Sequence, residues 1–288
     1  MGRDMTSNLP AWRYAYSSVR GTSHVAQDKP CQDAVYCKVH IDSGDRPILV
    51  AIVSDGAGSA ARSDDGSREV CRMLASEIAQ HFCTDDSTLG QIDTDFFKNF
   101  LAYFRNEMSR LAAADEGTVS DFACTLLVAL VGENQAVLAQ LGDGAIVYSL
   151  VGDYDRYQLG FLPAHGEYVN VTHFVTEADA EQNLQYEFLP DCIGELAMFS
   201  DGIERLALNL QTMQPHLPFF RPMLIPIRNA VEEGMHSPLS QALANFLDSD
   251  AVNSRSDDDK TLILASRCLE ETAQKELQHD DDDRPTVR

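Results

Sequence analysis

Three apolar runs between Phe122 and Val151 follow one another with almost nothing between them. FACTLLVALV (122–131) reaches AVLAQL (136–141) through Gly132-Glu133-Asn134, and AVLAQL reaches AIVYSLV (145–151) through Gly142-Asp143-Gly144. Parallel neighbours need a crossover of a dozen or more residues, so connections this short predict an antiparallel meander. Further strand-like runs are YAYSSV (14–19), AVYCKVH (34–40), ILVAIV (48–53), ELAMFS (195–200) and TLILAS (261–266). Most are β-branched or aromatic and are bounded by turn residues.

Helical patterns fall in a block and do not alternate with the strands. Val70, Leu74, Ile78 and Phe82 repeat every four residues, as do Phe96, Phe100, Phe104 and Met108, with Leu111 beyond, behind an Asp93 or Thr94 cap. A shorter helix is predicted after Asp201, and PLSQALANFL (238–247) reads as another. The class is therefore α+β, antiparallel sheet covered by helices, and not a doubly wound fold. With no repeat and no linker, one domain is expected over 9–268. Residues 269–288, ending QHDDDDRPTVR, are expected to form a solvated acidic tail. The polar segment 152–194 and the proline-dotted 207–235 read as surface insertions over one edge of the sheet.

Charge narrows the function. Asp and Glu number 45 against 22 Lys and Arg, a formal net charge of −23. Such a field repels nucleic-acid phosphates and anionic membranes and argues against both as partners. It also opposes a phosphorylated substrate unless cations sit where that substrate binds. The seven cysteines (31, 37, 71, 83, 124, 192, 268) are scattered, with no Cys-x-x-Cys pair. That pattern, with no apolar run of signal-peptide or membrane-spanning length, predicts a reduced, cytoplasmic protein.

Three of the apolar runs end in Asp-Gly: at Asp55, Asp143 and Asp201. For Asp143 a hairpin turn is the competing explanation, because a strand follows at once. Asp55 and Asp201 each precede a helical pattern and serve no hairpin; a buried carboxylate there needs a cation or hydrogen-bond donors. A triplet, Asp257-Asp258-Asp259, stands at the mouth of the last strand, where an isolated acidic triplet would be a solvated loop. Carboxylates and backbone carbonyls without His or Cys nearby suit Mg²⁺ or Mn²⁺ better than zinc or copper. Two such ions stabilise both the attacking and the leaving oxygen of a phosphoryl displacement, and they would supply the positive charge the chain lacks.

The ordered set CQDA (31–34), VSDGAGS (53–59), FACTLLVAL (122–130), LGDGAIVYS (141–149), FSDGIE (199–204) and DDKTLIL (258–264) resembles the metal-dependent protein phosphatase family, protein phosphatase 2C. The likeness is to its bacterial branch, whose first motif is a Gly…His…Cys-Gln-Asp pattern, and it spans residues 20–266. It implies two antiparallel β-sheets packed as a sandwich with helices on both outer faces. It implies further that Asp55 bridges two Mg²⁺ or Mn²⁺ ions, that Gly56 lends a carbonyl oxygen, and that Asp201 and Asp258 ligate the second ion. Asp33 matches a residue that holds metal-bound water, so Asp55 and Asp33 are the expected catalytic pair. Asp143 matches a residue of a third, weaker metal site, shared with Asp201. Thr125 falls in a structural strand motif, and Asp259 stands where the family usually has Asn.

The chain also departs from the pattern. Ser59 replaces a glycine, Gln32 a commonly acidic residue, and Ala57 a histidine that some members carry as a proposed general acid. Asp28 occupies the spacing of the arginine that often grips substrate phosphate. His24 and Arg20 are the leading substitutes, with Lys29 and Arg62 behind them; His24 competes with a plain loop histidine bonded to backbone. The expected activity is hydrolysis of phosphoserine or phosphothreonine on a protein, a bacterial Ser/Thr kinase or its targets, by a metal-activated water. The alternatives are a phosphatase of small phosphorylated metabolites and a pseudophosphatase that binds a phosphoprotein without turnover.

Overall fold

A computed structural model describes residues 12–154, 156–161, 172–209 and 211–267. One sheet runs in the order β12 (Gly234–Met235), β1 (Trp12–Val19), β13 (Lys260–Arg267), β9 (Ile193–Phe199), β6 (Ala145–Leu150) and β7 (Gln158–Leu159). The other runs β2 (Ala34–Ile41), β3 (Pro47–Ser54), β4 (Leu126–Val131), β5 (Ala136–Leu141) and β8 (Gln185–Leu189). A ribbon of β10 (Leu208–Asn209) and β11 (Gln214–Pro215) stands apart. All pairings are antiparallel except the short β1–β12 contact. The helices are α1 (Thr22–Ala26), α2 (Ser63–Phe82), α3 (Thr94–Ala114), α4 (Ala180–Asn183), α5 (Glu204–Ala207), α6 (Leu217–Arg228), α7 (Ser237–Leu247) and α8 (Asp250–Asn253).

The layering explains why the central strands read as unbroken apolar runs. In β3, Leu49, Ala51 and Val53 pack between the sheets against residues such as Ile146, Met198 and Ile263. Ile48, Val50 and Ile52 point the other way, into a core closed by Val70, Leu74 and Ile78 of α2 and Phe97, Phe100 and Phe104 of α3. The opposite sheet buries Phe199, Leu262 and Leu264 under Phe220 and Leu224 of α6 and Leu247 of α7. A strand covered on both faces loses the polar half of its alternation. The result is the expected sandwich with helices on both outer faces. On α3 the expected Phe100, Phe104 and Met108 are buried, while at the ends of the stripe Phe97 and Ala112 are buried and Phe96 and Leu111 only partly.

The meander is corrected at its second turn. β4 and β5 pair as expected, with Val131 opposite Ala136. β6 does not pair with β5; it lies in the other sheet, with Ala145 opposite Phe199 of β9. Gly142-Asp143-Gly144 is a corner between the two layers and not a hairpin. Gly142 sits at φ +116°, and a Cβ there would lie 2.5 Å from Thr125 Cγ2. Loop length alone cannot separate a hairpin from a strand that changes sheet. The strand expected from Phe122 also starts later, at Leu126, because Val119–Phe122 forms a 3₁₀ turn.

Both presumed insertions contribute to the fold. β8, within 152–194, completes the second sheet against β5, with Ala136 opposite Leu189. In 207–235, α6 buries Phe219, Phe220, Leu224 and Ile227 despite internal Pro222 and Pro226. These prolines and Pro218 are four residues apart and all exposed, so the carbonyls deprived of helical partners face water. The expected tail 269–288 lies outside the described residues.

Candidate active site

Antiparallel strands deliver their tips alternately to the two ends of a sheet, and in this chain the carboxylate-bearing tips share one end. Asp55 follows β3. Thr125, just ahead of β4, holds its backbone on both sides: the Asp55 N–H donates to Thr125 Oγ1 (2.9 Å) and the Thr125 N–H to the Asp55 carbonyl (2.8 Å). Ser54 Oγ donates to the Thr125 carbonyl at 2.6 Å. Gly56 then bridges to Cys124, and a Cβ on it would lie 2.8 Å from the carbonyl oxygens of Gln32 and Ser63. The glycine is required by backbone packing alone.

Asp201 leaves β9 into a 3₁₀ turn, Asp201–Ile203. The next residue must be glycine, since a Cβ on Gly202 would lie 1.8 Å from the Asp259 carbonyl oxygen. Asp143 is carried by the inter-sheet corner, where Thr172 Oγ1 donates to its Oδ2. Oxygens of Asp55, Asp143 and Asp201 all lie within 4.8 Å of one another. Asp258 and Gly56 line the same cleft, of about 430 Å³, as do His24 and Lys29.

Asp33, immediately before β2, is buried beside this cluster. Its Oδ2 accepts from Ser200 Oγ and Thr261 Oγ1, both at 2.7 Å. Asp259 points away from the cleft and is 2% exposed. Its Oδ1 accepts from the Gly21 N–H (2.6 Å), and its Oδ2 from the Gln32 N–H (2.5 Å) and His24 Nδ1 (2.9 Å). It ties the α1 loop to the strand mouth that carries Asp258.

The electrostatics follow from crowding acids where water is scarce. Burial pushes the Asp33 carboxyl up to about 7, against the hydrogen bonds from Ser200 and Thr261. Burial, with the charge of Asp143 next, pushes Asp201 up to about 6. Burial and then the charges of Asp33 and Asp201 hold Asp55 well above the ordinary carboxylate range. Asp33 Oδ1 and Asp201 Oδ1 are buried without a hydrogen-bond partner among the described residues. Orphaned, mutually repelling carboxylate oxygens form a donor set that a hard divalent cation satisfies.

The four cations proposed from sequence separate. His24 and Lys29 line the cleft. Arg20 does not: its Nη1 donates to the Lys29 carbonyl at 3.1 Å. Arg62 pairs with Asp65 and Asp115 and lies over the Phe122 ring. The cleft also contains Thr172 and Phe174, which sequence reasoning missed because no periodicity marks that segment.

Two packed antiparallel sheets with helices outside and an acidic cluster at one mouth define a metallophosphatase-type sandwich, and solved structures share it. PppA, described as a key regulatory component of T6SS in Pseudomonas aeruginosa, superposes with a TM-score of 0.59 at 18% identity, over 90% of this chain and 99% of that one. The Staphylococcus aureus serine/threonine phosphatase Stp1 gives 0.56 at 16% identity, over 94% and 99%. The chain belongs to the protein phosphatase 2C family, the metal-dependent serine/threonine phosphatases: the family model "Protein phosphatase 2C" matches residues 20–248. Serine/threonine-protein phosphatase 3 of Escherichia coli (strain K12) is 37% identical over 257 residues, 88% of this chain and 98% of that protein.

Proposed function

We propose that the acidic mouth holds two Mg²⁺ or Mn²⁺ ions, with a third, weaker position at Asp143, and hydrolyses phosphoserine and phosphothreonine on a protein substrate. The observation that carries this is the convergence of Asp55, Asp143 and Asp201 to within 4.8 Å from two different sheets. Asp55, between the other acids, would bridge the ions, with the Gly56 carbonyl, Asp201 and Asp258 as further ligands. When bound, the ions supply charge to the phosphoryl oxygens and lower the pKa of water for in-line attack.

The chain's own groups do the rest. Ser200 and Thr261 occupy one oxygen of Asp33 and leave the other to accept from an attacking water. Thr125 fixes the Asp55 backbone, so the carboxylate does not recoil from its neighbours. Ala57 offers no proton, so the leaving alkoxide takes its proton from water. A cysteine nucleophile is disfavoured at Cys31, whose thiol burial pushes up to about 12.

The relatives named as serine/threonine phosphatases support a phosphoserine or phosphothreonine substrate; the proposed one is a bacterial Ser/Thr kinase or its targets, met in the cytoplasm. No helix among the described residues is long and apolar enough to cross a membrane. Hydrolysis of a phosphothreonine peptide, an aryl phosphate and a sugar phosphate with Mn²⁺, and again with EDTA, tests the reading. Turnover is expected to favour the peptide, to stop with EDTA and to fall about a hundred- to a thousandfold in Asp55→Asn, an order typical of removing a main charge-stabilising group. Activity retained by Asp55→Asn would overturn it, and preference for the sugar phosphate would move the substrate to metabolites.

A further inference from the structure

Acidic residues dominate the cleft, and a phosphoryl group entering it needs a cation from the protein as well as from metal. Of the cleft-lining residues among those described, Lys29 alone carries a permanent positive charge. Its placement is built. Asp28 adopts the left-handed conformation at φ 55°, ending α1, while the Asp28 N–H donates to the Val25 carbonyl (3.2 Å) and the Lys29 N–H to the His24 carbonyl (2.9 Å). Arg20 holds the Lys29 carbonyl from the other side. His24, one turn earlier, is anchored on Asp259. Both backbone polar groups of Lys29 are thus fixed, and its side chain is sent across the cleft toward the loop that follows Asp55.

There Nζ donates to the carbonyl of Gly58, 3.1 Å away on an exposed loop. An ammonium has three donors, so two remain for another acceptor in the cleft. We propose that Lys29 grips the phosphoryl oxygens of the incoming phosphoserine or phosphothreonine, so that this chain draws its phosphate-binding cation from the turn after α1. Arg20 and His24 act as positioning residues: they hold the turn and leave the anion to Lys29. The role presupposes the phosphatase reading above. The residue at the spacing where an arginine is missing, Asp28, supplies the backbone turn that aims its neighbour.

The test uses the full chain loaded with Mn²⁺, with Lys29→Met and Lys29→Arg beside the wild type. Three quantities are measured: KM and kcat for a phosphothreonine peptide, the affinity for inorganic phosphate by calorimetry, and the affinity for Mn²⁺. Lys29→Met is expected to weaken inorganic phosphate and raise KM by about ten- to a hundredfold, the range for losing a hydrogen bond to a charged group. Mn²⁺ affinity should not move, and Lys29→Arg should recover most of the loss. Unchanged phosphate affinity and KM in Lys29→Met overturns the assignment. A parallel loss of Mn²⁺ affinity also overturns it, by making Lys29 a support of the metal ligands. A wild type that binds phosphate through Lys29 yet hydrolyses no substrate supports the grip and overturns only the enzymatic reading.

Discussion

Asp259 shows how much of this site is carried by residues that face away from it. Its two carboxylate oxygens collect two backbone N–H groups and the His24 ring, joining residues 21–32 to the mouth of β13. An amide at that position presents an NH₂ group where an acceptor is needed and leaves one backbone donor buried and unpaired. Asp259→Asn is therefore expected to lose about 1–3 kcal/mol of stability in urea unfolding, although it restores the residue common in the family. That Asp55 and Asp201 would meet was legible in the sequence because an acid at the end of a buried strand has few other uses; Asp258 was singled out of its triplet only by the family resemblance. Lys29 was one of four candidates there, ranked behind His24 and Arg20. Which of them reaches the cleft depends on a left-handed backbone at Asp28, and a non-glycine residue gives little notice of that conformation.

At the scale of elements, the informative error concerns Gly142-Asp143-Gly144. Every strand of the presumed meander exists, and the β4–β5 hairpin is as read, yet the next turn leaves the sheet. The local signal, an Asp-Gly between apolar runs, is common to hairpins and corners; the choice is made by β9, fifty residues on, which claims β6. Helix α6 was hidden for a related reason: its prolines suggest a loop until they are seen to share the solvent face. The corner depends on a backbone that alanine cannot adopt cheaply. Gly142→Ala combines a positive φ with a Cβ 2.5 Å from Thr125 Cγ2. A loss of about 2 kcal/mol or more is expected in chemical denaturation, and displacement of Thr125 should lower kcat in the same variant.

For the whole molecule, a net charge of −23 and a crowded acidic cluster act in the same direction. Asp33 and Asp201, raised to about 7 and about 6, bind protons more tightly folded than unfolded. Their stabilising contribution is complete below pH 4 and is lost as the pH climbs through 6 and 7. In EDTA the melting temperature is accordingly expected to fall between pH 5 and pH 8. Millimolar Mn²⁺ should flatten that decline, which thermal melts across the range would register.

The inter-sheet corner has a kinetic side as well. Asp143 reaches Asp55 and Asp201 only once β5 and β6 lie in their separate sheets and those sheets have closed on each other. Contacts of such long sequence separation form late, after most of the loop-closure entropy has been lost. A cation bound by this cage is therefore expected to act as a latch on a finished sandwich, slowing unfolding without hastening refolding, which rates measured with and without Mn²⁺ would register.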